Sequence, residues 1–156
     1  MTAPRPALLS RRLVLAAGGG AAASLVLRPA AATPDALREA VAEFTGGVEP
    51  QRGRVSLELP PLAESGNSVG IEIRVDSPMN AAEHVRRIGI FNEKNPISTT
   101  AIFHLSPRCG VARVATRIRL ADTQRVLAVA ALSDGSFWSA QADILVTLGA
   151  CVQVTP

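Results

Sequence analysis

A chain of 156 residues holds one modest domain with a core of its own and is too short for two. Its formal charge of +3 comes from Arg5, Arg11, Arg12 and Arg28 at the N-terminus; without them 12 Lys and Arg face 13 Asp and Glu, a net −1. That balance, with no Tyr, one Trp and four Phe, excludes a basic, base-stacking nucleic-acid surface, and two cysteines exclude a disulfide framework.

The chain opens in the order charged, apolar, small. Ser10-Arg11-Arg12-Leu13-Val14-Leu15 sets paired arginines ahead of an Ala- and Gly-rich apolar stretch that ends at Leu27. Pro29-Ala30-Ala31-Ala32 follows, with Ala30 and Ala32 at the −3 and −1 positions of a cleavage site. Paired arginines before a mildly apolar core point to the twin-arginine export route, hence to a periplasmic protein whose mature chain starts at Thr33. An uncleaved N-terminal anchor is the alternative. The 15 residues from Leu13 to Leu27 fall short of the roughly 20 that a spanning helix needs, so no membrane contact is expected after cleavage. Residues 1–32 are read as the signal, and Gly18-Gly19-Gly20 inside it is no phosphate loop.

The mature chain begins with one helix, residues 33–47. Thr33 can cap it, Pro34 suits its first turn, Asp35 faces its positive end, and Leu37, Val41 and Phe44 recur at helical spacing before Gly46-Gly47. The period then becomes two. Val55, Leu57 and Leu59 alternate with polar residues up to Pro60-Pro61; Ile71, Ile73 and Val75 follow the turn Ser65-Gly66-Asn67-Ser68. Val85 to Phe91 and Ala101 to Leu105 are further strands, separated by the polar Asn92-Glu93-Lys94-Asn95-Pro96. Val114, Thr116, Ile118 and Leu120 share one face of the next strand, and Arg113, Arg117 and Arg119 the other. Arg125 to Leu132 and Phe137 to Leu148 read as a hairpin around Asp134-Gly135, with Trp138, Ala140, Ala142, Ile144, Val146 and Leu148 on one side. About seven short strands without a βαβ rhythm predict an all-β, two-sheet antiparallel sandwich over residues 48–148. A C-terminal arm, residues 149–156, follows it.

Four blocks carry a family resemblance: Val75-Asp76-Ser77-Pro78-Met79, Ile90 to Pro96, Ala115 to Ala121, and Ser133-Asp134-Gly135-Ser136-Phe137-Trp138. In order and spacing they resemble the SoxY family, over essentially the whole mature chain. The resemblance implies an immunoglobulin-like sandwich and a heterodimer with a SoxZ-like partner. It also implies that sulfur intermediates are held covalently on a cysteine of the arm while sulfur-oxidation enzymes dock there. In the thiosulfate-oxidising members the arm reads Gly-Gly-Cys-Gly-Gly. Here Gly149-Ala150-Cys151-Val152 replaces three of the four glycines, and five residues follow the cysteine. That is closer to the SoxY-related branch with an Ala-Ala-Cys-Ile-Glu arm, and it leaves the sulfur substrate open.

Cys151 is the expected carrier residue: a thiolate in an exposed tail forms persulfides and mixed disulfides reversibly. No His or Lys stands near it in the sequence. The alternative is a buried cysteine that fills the end of the sandwich. Val152 is β-branched and stiffens the arm where glycine would free it. Cys109, in a Pro-Arg-Cys-Gly turn, is read as a surface thiol, with a disulfide to Cys151 or an intermolecular bridge as the functional alternatives. The arginine stripe reads as a solvated face or an anion- or partner-binding one, His104 as structural, His84 as unpartnered and Asp134 as a turn residue. No hydrolase elbow, dinucleotide fingerprint, metal-ligand cluster or catalytic set is present in the sequence, so no cofactor and no catalysis is expected. The rival functions are a non-covalent interaction module with an idle cysteine and a small thiol redox protein using Cys109 and Cys151.

Overall fold

The computed structural model describes residues 34–150. The leader with its paired arginines, Thr33, and the segment from Cys151 onward lie outside them. Helix α1, Pro34–Thr45, carries Asp35 in its first turn. Leu37 and Val41 are half-buried and Phe44 is buried. Gly46 and Gly47 take φ of 66° and 85°, and the Gly47 amide returns to the Ala42 carbonyl at 2.8 Å, the bond that closes a helix through a left-handed exit.

Nine strands follow among the described residues: β1 Gln51–Arg52, β2 Val55–Glu58, β3 Leu62–Ser65, β4 Val69–Val75, β5 Val85–Asn92, β6 Thr99–His104, β7 Arg113–Ile118, β8 Gln124–Leu132 and β9 Phe137–Leu148. The larger sheet runs β1-β9-β8-β5-β6, with β3 also on β9; the smaller runs β2-β4-β7. The core lies between them and includes Ile71 and Ile73 from one sheet and Ile88, Ile90, Val126 and Ile144 from the other. Each such side chain, fully buried, contributes about 1.5–3 kcal/mol. The fold is the expected immunoglobulin-like all-β sandwich with one short helix.

Two strands go beyond the seven that alternation predicts. β1 pairs with the start of β9 and β3 with its end, both in parallel, while β2 between them pairs antiparallel with β4 in the other sheet. The chain therefore switches sheets twice, at Gly53-Arg54 and at Pro60-Pro61. Gly53 and Arg54 take φ of 113° and 53°. Arg54 is held in that left-handed conformation, unusual for a non-glycine residue, by bonds to the Asp76 carbonyl at 3.0 and 2.8 Å. It also pairs with Glu83 and stacks over Trp138 at 5.7 Å. The Asp134 turn forms as expected: its carboxylate accepts from the Ser136 amide at 2.8 Å and hydroxyl at 2.7 Å, which holds it below the usual carboxylate range.

The outer face of the larger sheet is covered by α1. Phe44 meets Phe91 and Phe137 edge-to-face, at centroid distances of 5.5 and 6.4 Å, over Val129 and Ala131. A sheet buried on both faces explains the unbroken runs Ile88-Gly89-Ile90-Phe91 of β5 and Val126 to Leu132 of β8. Leu148, which the alternation puts on the same side of β9 as buried Ile144 and Val146, is 67% exposed because the strand outruns the core.

Candidate functional site

Strand register divides the sandwich into two ends. At one, β4 pairs Val69 with Ile118, β5 pairs Asn92 with Val126, and β8 pairs Gln124 with Ile144. The segments just beyond these pairs are the Gly66 turn, the loop 92–98, the connection 119–123 and the exit of β9 toward Cys151.

At this arm end three segments close on one another through backbone alone. The Gly66 amide donates to the Leu148 carbonyl at 2.7 Å, the Leu120 amide to the Gly66 carbonyl at 2.9 Å, and the Ala150 amide to the Leu120 carbonyl at 2.9 Å. The approach is close enough to require glycine. A Cβ at Gly149 would overlap the Ala121 carbonyl oxygen, and one at Gly66 would overlap the Leu120 carbonyl oxygen. Neither glycine is in the left-handed region, so both are there for room. Gly149 and Ala150, the first two residues of the arm, are thus held to the sandwich.

Asn95 braces this clamp from outside. Its Nδ2 donates to the Arg119 carbonyl at 2.8 Å, and its Oδ1 accepts from the Ala121 amide at 2.9 Å and from Gln124 Nε2 at 2.9 Å. Gln124 Oε1 takes the Lys94 amide at 2.8 Å, and buried Asn92 Oδ1 takes the Asn95 amide at 3.2 Å. The polar stretch Asn92 to Pro96, part of the resemblance block Ile90 to Pro96, supports the arm root through Asn92, Lys94 and Asn95. Polar Asn92 and Gln124 at the tips of two apolar strands were the available signal. Lys94 pairs with Asp122 at 3.2 Å; that bond, then the Thr123 amide, lowers the Asp122 carboxyl below its usual range. Leu62 and Leu145, cross-strand partners, and Leu148 leave apolar surface exposed on β3 and β9.

Most other candidates lie away from the root. Cys109 is free and exposed at the end of a single 3-10 turn, Pro107–Cys109, ahead of β7. Leu120 follows the other end of β7, whose six residues span roughly 17 Å. A disulfide needs Cα atoms within about 7 Å, which counts against a Cys109 bridge to a residue bonded directly to Ala150. His104 pairs across from Arg87, at the far end of β5, and is exposed. His84, read in the sequence as unpartnered, has Nδ1 3.2 Å from the Asn80 carbonyl, and its amide donates to Ser133 Oγ at 3.1 Å. Neither imidazole is at the arm end.

The arginine stripe is largely engaged. Arg113 grips Glu72 with two bonds of 2.8 and 2.7 Å, and this, with Arg74, lowers the Glu72 pKa to about 2. Arg117 donates to the Ser68 hydroxyl at 2.6 Å; Arg119 makes no side-chain bond among the described residues. No group of three or more His, Cys, Asp or Glu among the described residues could hold a metal ion, and no helix among them is long and apolar enough to cross a membrane.

The family model for sulfur oxidation protein SoxY matches residues 41–151. The chain belongs to the SoxY family. The match takes in α1 from Val41, all nine strands and the clamp, and its last residue is Cys151. Among solved structures, the sulfur carrier protein SoxY from Chlorobium limicola f thiosulfatophilum superposes with a TM-score of 0.61 at 24% identity, covering 71% of this chain and 91% of that one. A superoxide reductase (neelaredoxin) from Ignicoccus hospitalis superposes with a TM-score of 0.54 at 18% identity, covering 60% and 80%. At these identities both likenesses concern the fold. No curated protein matches.

Proposed function

We propose that this SoxY-family chain is a non-catalytic carrier that holds a sulfur intermediate covalently on Cys151 while other enzymes act on it. The observation that carries the reading is the family match running to Cys151 itself, directly after a root held by the Ala150–Leu120 bond. The chemistry is exchange at sulfur: the Cys151 thiolate attacks a sulfur atom of a disulfide- or polysulfide-type donor, and the new S–S bond forms as the donor's own S–S bond breaks, the electron pair departing with the donor's other sulfur as a thiolate. Both imidazoles are at the far end of the sandwich, so activation and release fall to docking enzymes. Export by the twin-arginine route, from Arg11-Arg12 and the Ala30-Ala31-Ala32 site, puts this carrier in the periplasm; Arg11→Lys with Arg12→Lys is expected to leave precursor in the cytoplasm. A SoxZ-like subunit is the expected partner, since a second β-protein can cover an open edge such as β6 or β7. Purification of monomer alone from native periplasm counts against that partner.

The direct test is intact mass of protein isolated without reductant from cells oxidising reduced sulfur. Additions that a thiol reagent removes are expected, lost in Cys151→Ser and retained in Cys109→Ser. A Cys151→Ser protein that keeps the additions overturns the assignment.

A further inference from the structure

An arm that delivers a thiol is most simply pictured as free from the last strand onward. Here the backbone is fixed for two residues past β9. Leu148 accepts from Gly66, Gly66 from Leu120, and Leu120 from Ala150, so the three segments form a chain of bonds in which each holds the next. Gly149 lies against the Ala121 carbonyl and Gly66 against the Leu120 carbonyl. Asn95 ties down the Arg119 carbonyl and the Ala121 amide on either side of Leu120. Among the described residues the last anchored group is therefore the amide of Ala150, one residue ahead of Cys151.

Resting on the carrier reading above, we propose that Gly66 and Gly149 are positioning residues of the carrier thiol. Their lack of a side chain lets the clamp close, and the clamp holds the base of the arm so that Cys151 is presented next to a rigid surface. One Cα step of about 3.8 Å and a short side chain confine the sulfur to roughly 7 Å from the Ala150 Cα. An enzyme docking on this end then meets the thiol without first ordering a long tether, a cost that pre-organisation removes. The glycines are replaced elsewhere in the arm, but the one that must pass under Ala121 is present.

Three variants test this in the full mature chain. Gly149→Ala adds a methyl where the Ala121 carbonyl lies. Asn95→Ala loosens the same segment without adding atoms and serves if Gly149→Ala fails to fold. Gly89→Ala, whose Cβ would meet the Phe91 ring at 2.6 Å and the Phe44 ring at 3.2 Å, weakens the protein away from the clamp. Amide hydrogen exchange at Ala150 and the fraction of Cys151 carrying an adduct in protein isolated from cells are read together. In the unaltered protein the Ala150 amide is expected to be protected. In Gly149→Ala or Asn95→Ala its exchange is expected to rise roughly tenfold or more and the adduct fraction to fall several-fold, while Gly89→Ala changes neither.

An unprotected Ala150 amide in the unaltered protein overturns the clamp. An unchanged adduct fraction in a variant whose Ala150 exchange has risen overturns the positioning role. A protected amide with no adduct on Cys151 at all overturns the carrier reading instead, and the positioning role with it.

Discussion

The two ends of the sandwich differ in how they hold the backbone next to a cysteine: Cys109 lies in a local turn at one, and the other holds Gly149 and Ala150, which precede Cys151. Cys109 follows a local turn: its amide donates to the Ser106 carbonyl at 2.9 Å, and the Gly110 amide to the Pro107 carbonyl at 3.2 Å. Nothing in those bonds reaches beyond five consecutive residues. Cys151 follows a root bonded to residues 30 and 82 positions away in the chain, Ala150 to Leu120 and Leu148 to Gly66. The Cys109 end also carries the hairpin turn closed by Asp134, His84 against the Asn80 carbonyl, exposed His104, and Arg113, which grips Glu72 across β7 and β4. A thiol on a loop is at the mercy of that loop's motions, whereas a thiol beside a non-local clamp has a defined starting point. On the proposed carrier reading, that difference is what separates an incidental surface cysteine from one placed for exchange.

Mutations that act on one end and not the other sharpen this contrast. The largest effect is expected for Leu120→Ala. Leu120 is fully buried and lies in the clamp, so the substitution should cost about 2–5 kcal/mol in denaturant unfolding and unprotect the Ala150 amide. Val111, 66% exposed near Cys109, is its counterpart, and Val111→Ala should stay within about 0.5 kcal/mol. Equal losses at the two sites would erase the distinction between the ends. Asn95→Ala comes next, at about 1–3 kcal/mol, because the Ala121 amide and Arg119 carbonyl lose their partner; a silent Asn95→Ala would mean the brace is ornamental.

The smallest effect is one of pH. The clamp bonds are between backbone groups and do not titrate. Glu72, at the Cys109 end, has its pKa lowered to about 2 by Arg113 and then Arg74. A lowered carboxylate contributes stability that is present above its ordinary value of 4.5 and is lost as pH falls through about 2. The Glu72 side-chain carbon should titrate in that low range by NMR, and Arg113→Gln should return it toward its ordinary value. A midpoint near 4.5 in the unaltered protein would deny the ion cluster.

Much of this fold is legible in the residues. Strands β4 and β7 alternate cleanly because one face is core and the other solvent, and Asp134-Gly135 marks its hairpin through turn chemistry. β1 and β3 are not legible. They have two and four residues, too few to show a period, and they exist because β9 offers an edge on which they can pair. The clamp is hidden for a similar reason. Gly66 looks like an ordinary turn glycine and Gly149 like a flexible one, but the requirement on each comes from a carbonyl supplied by the connection after β7. Cys151 itself was found by family resemblance and by its place after the last strand, not by local chemistry, since no base accompanies it.

Both thiols belong to one molecule, so each is the other's control. Protein taken without reductant from cells oxidising reduced sulfur, trapped with iodoacetamide and digested, yields separate Cys109 and Cys151 peptides. The account predicts a reducible sulfur-containing addition on the Cys151 peptide and an alkylated, otherwise unmodified Cys109 peptide. Equal additions on both would show that exposure alone governs the chemistry, and a Cys151 peptide that carries the alkyl group alone, or neither an alkyl group nor an addition, would contradict the carrier role outright.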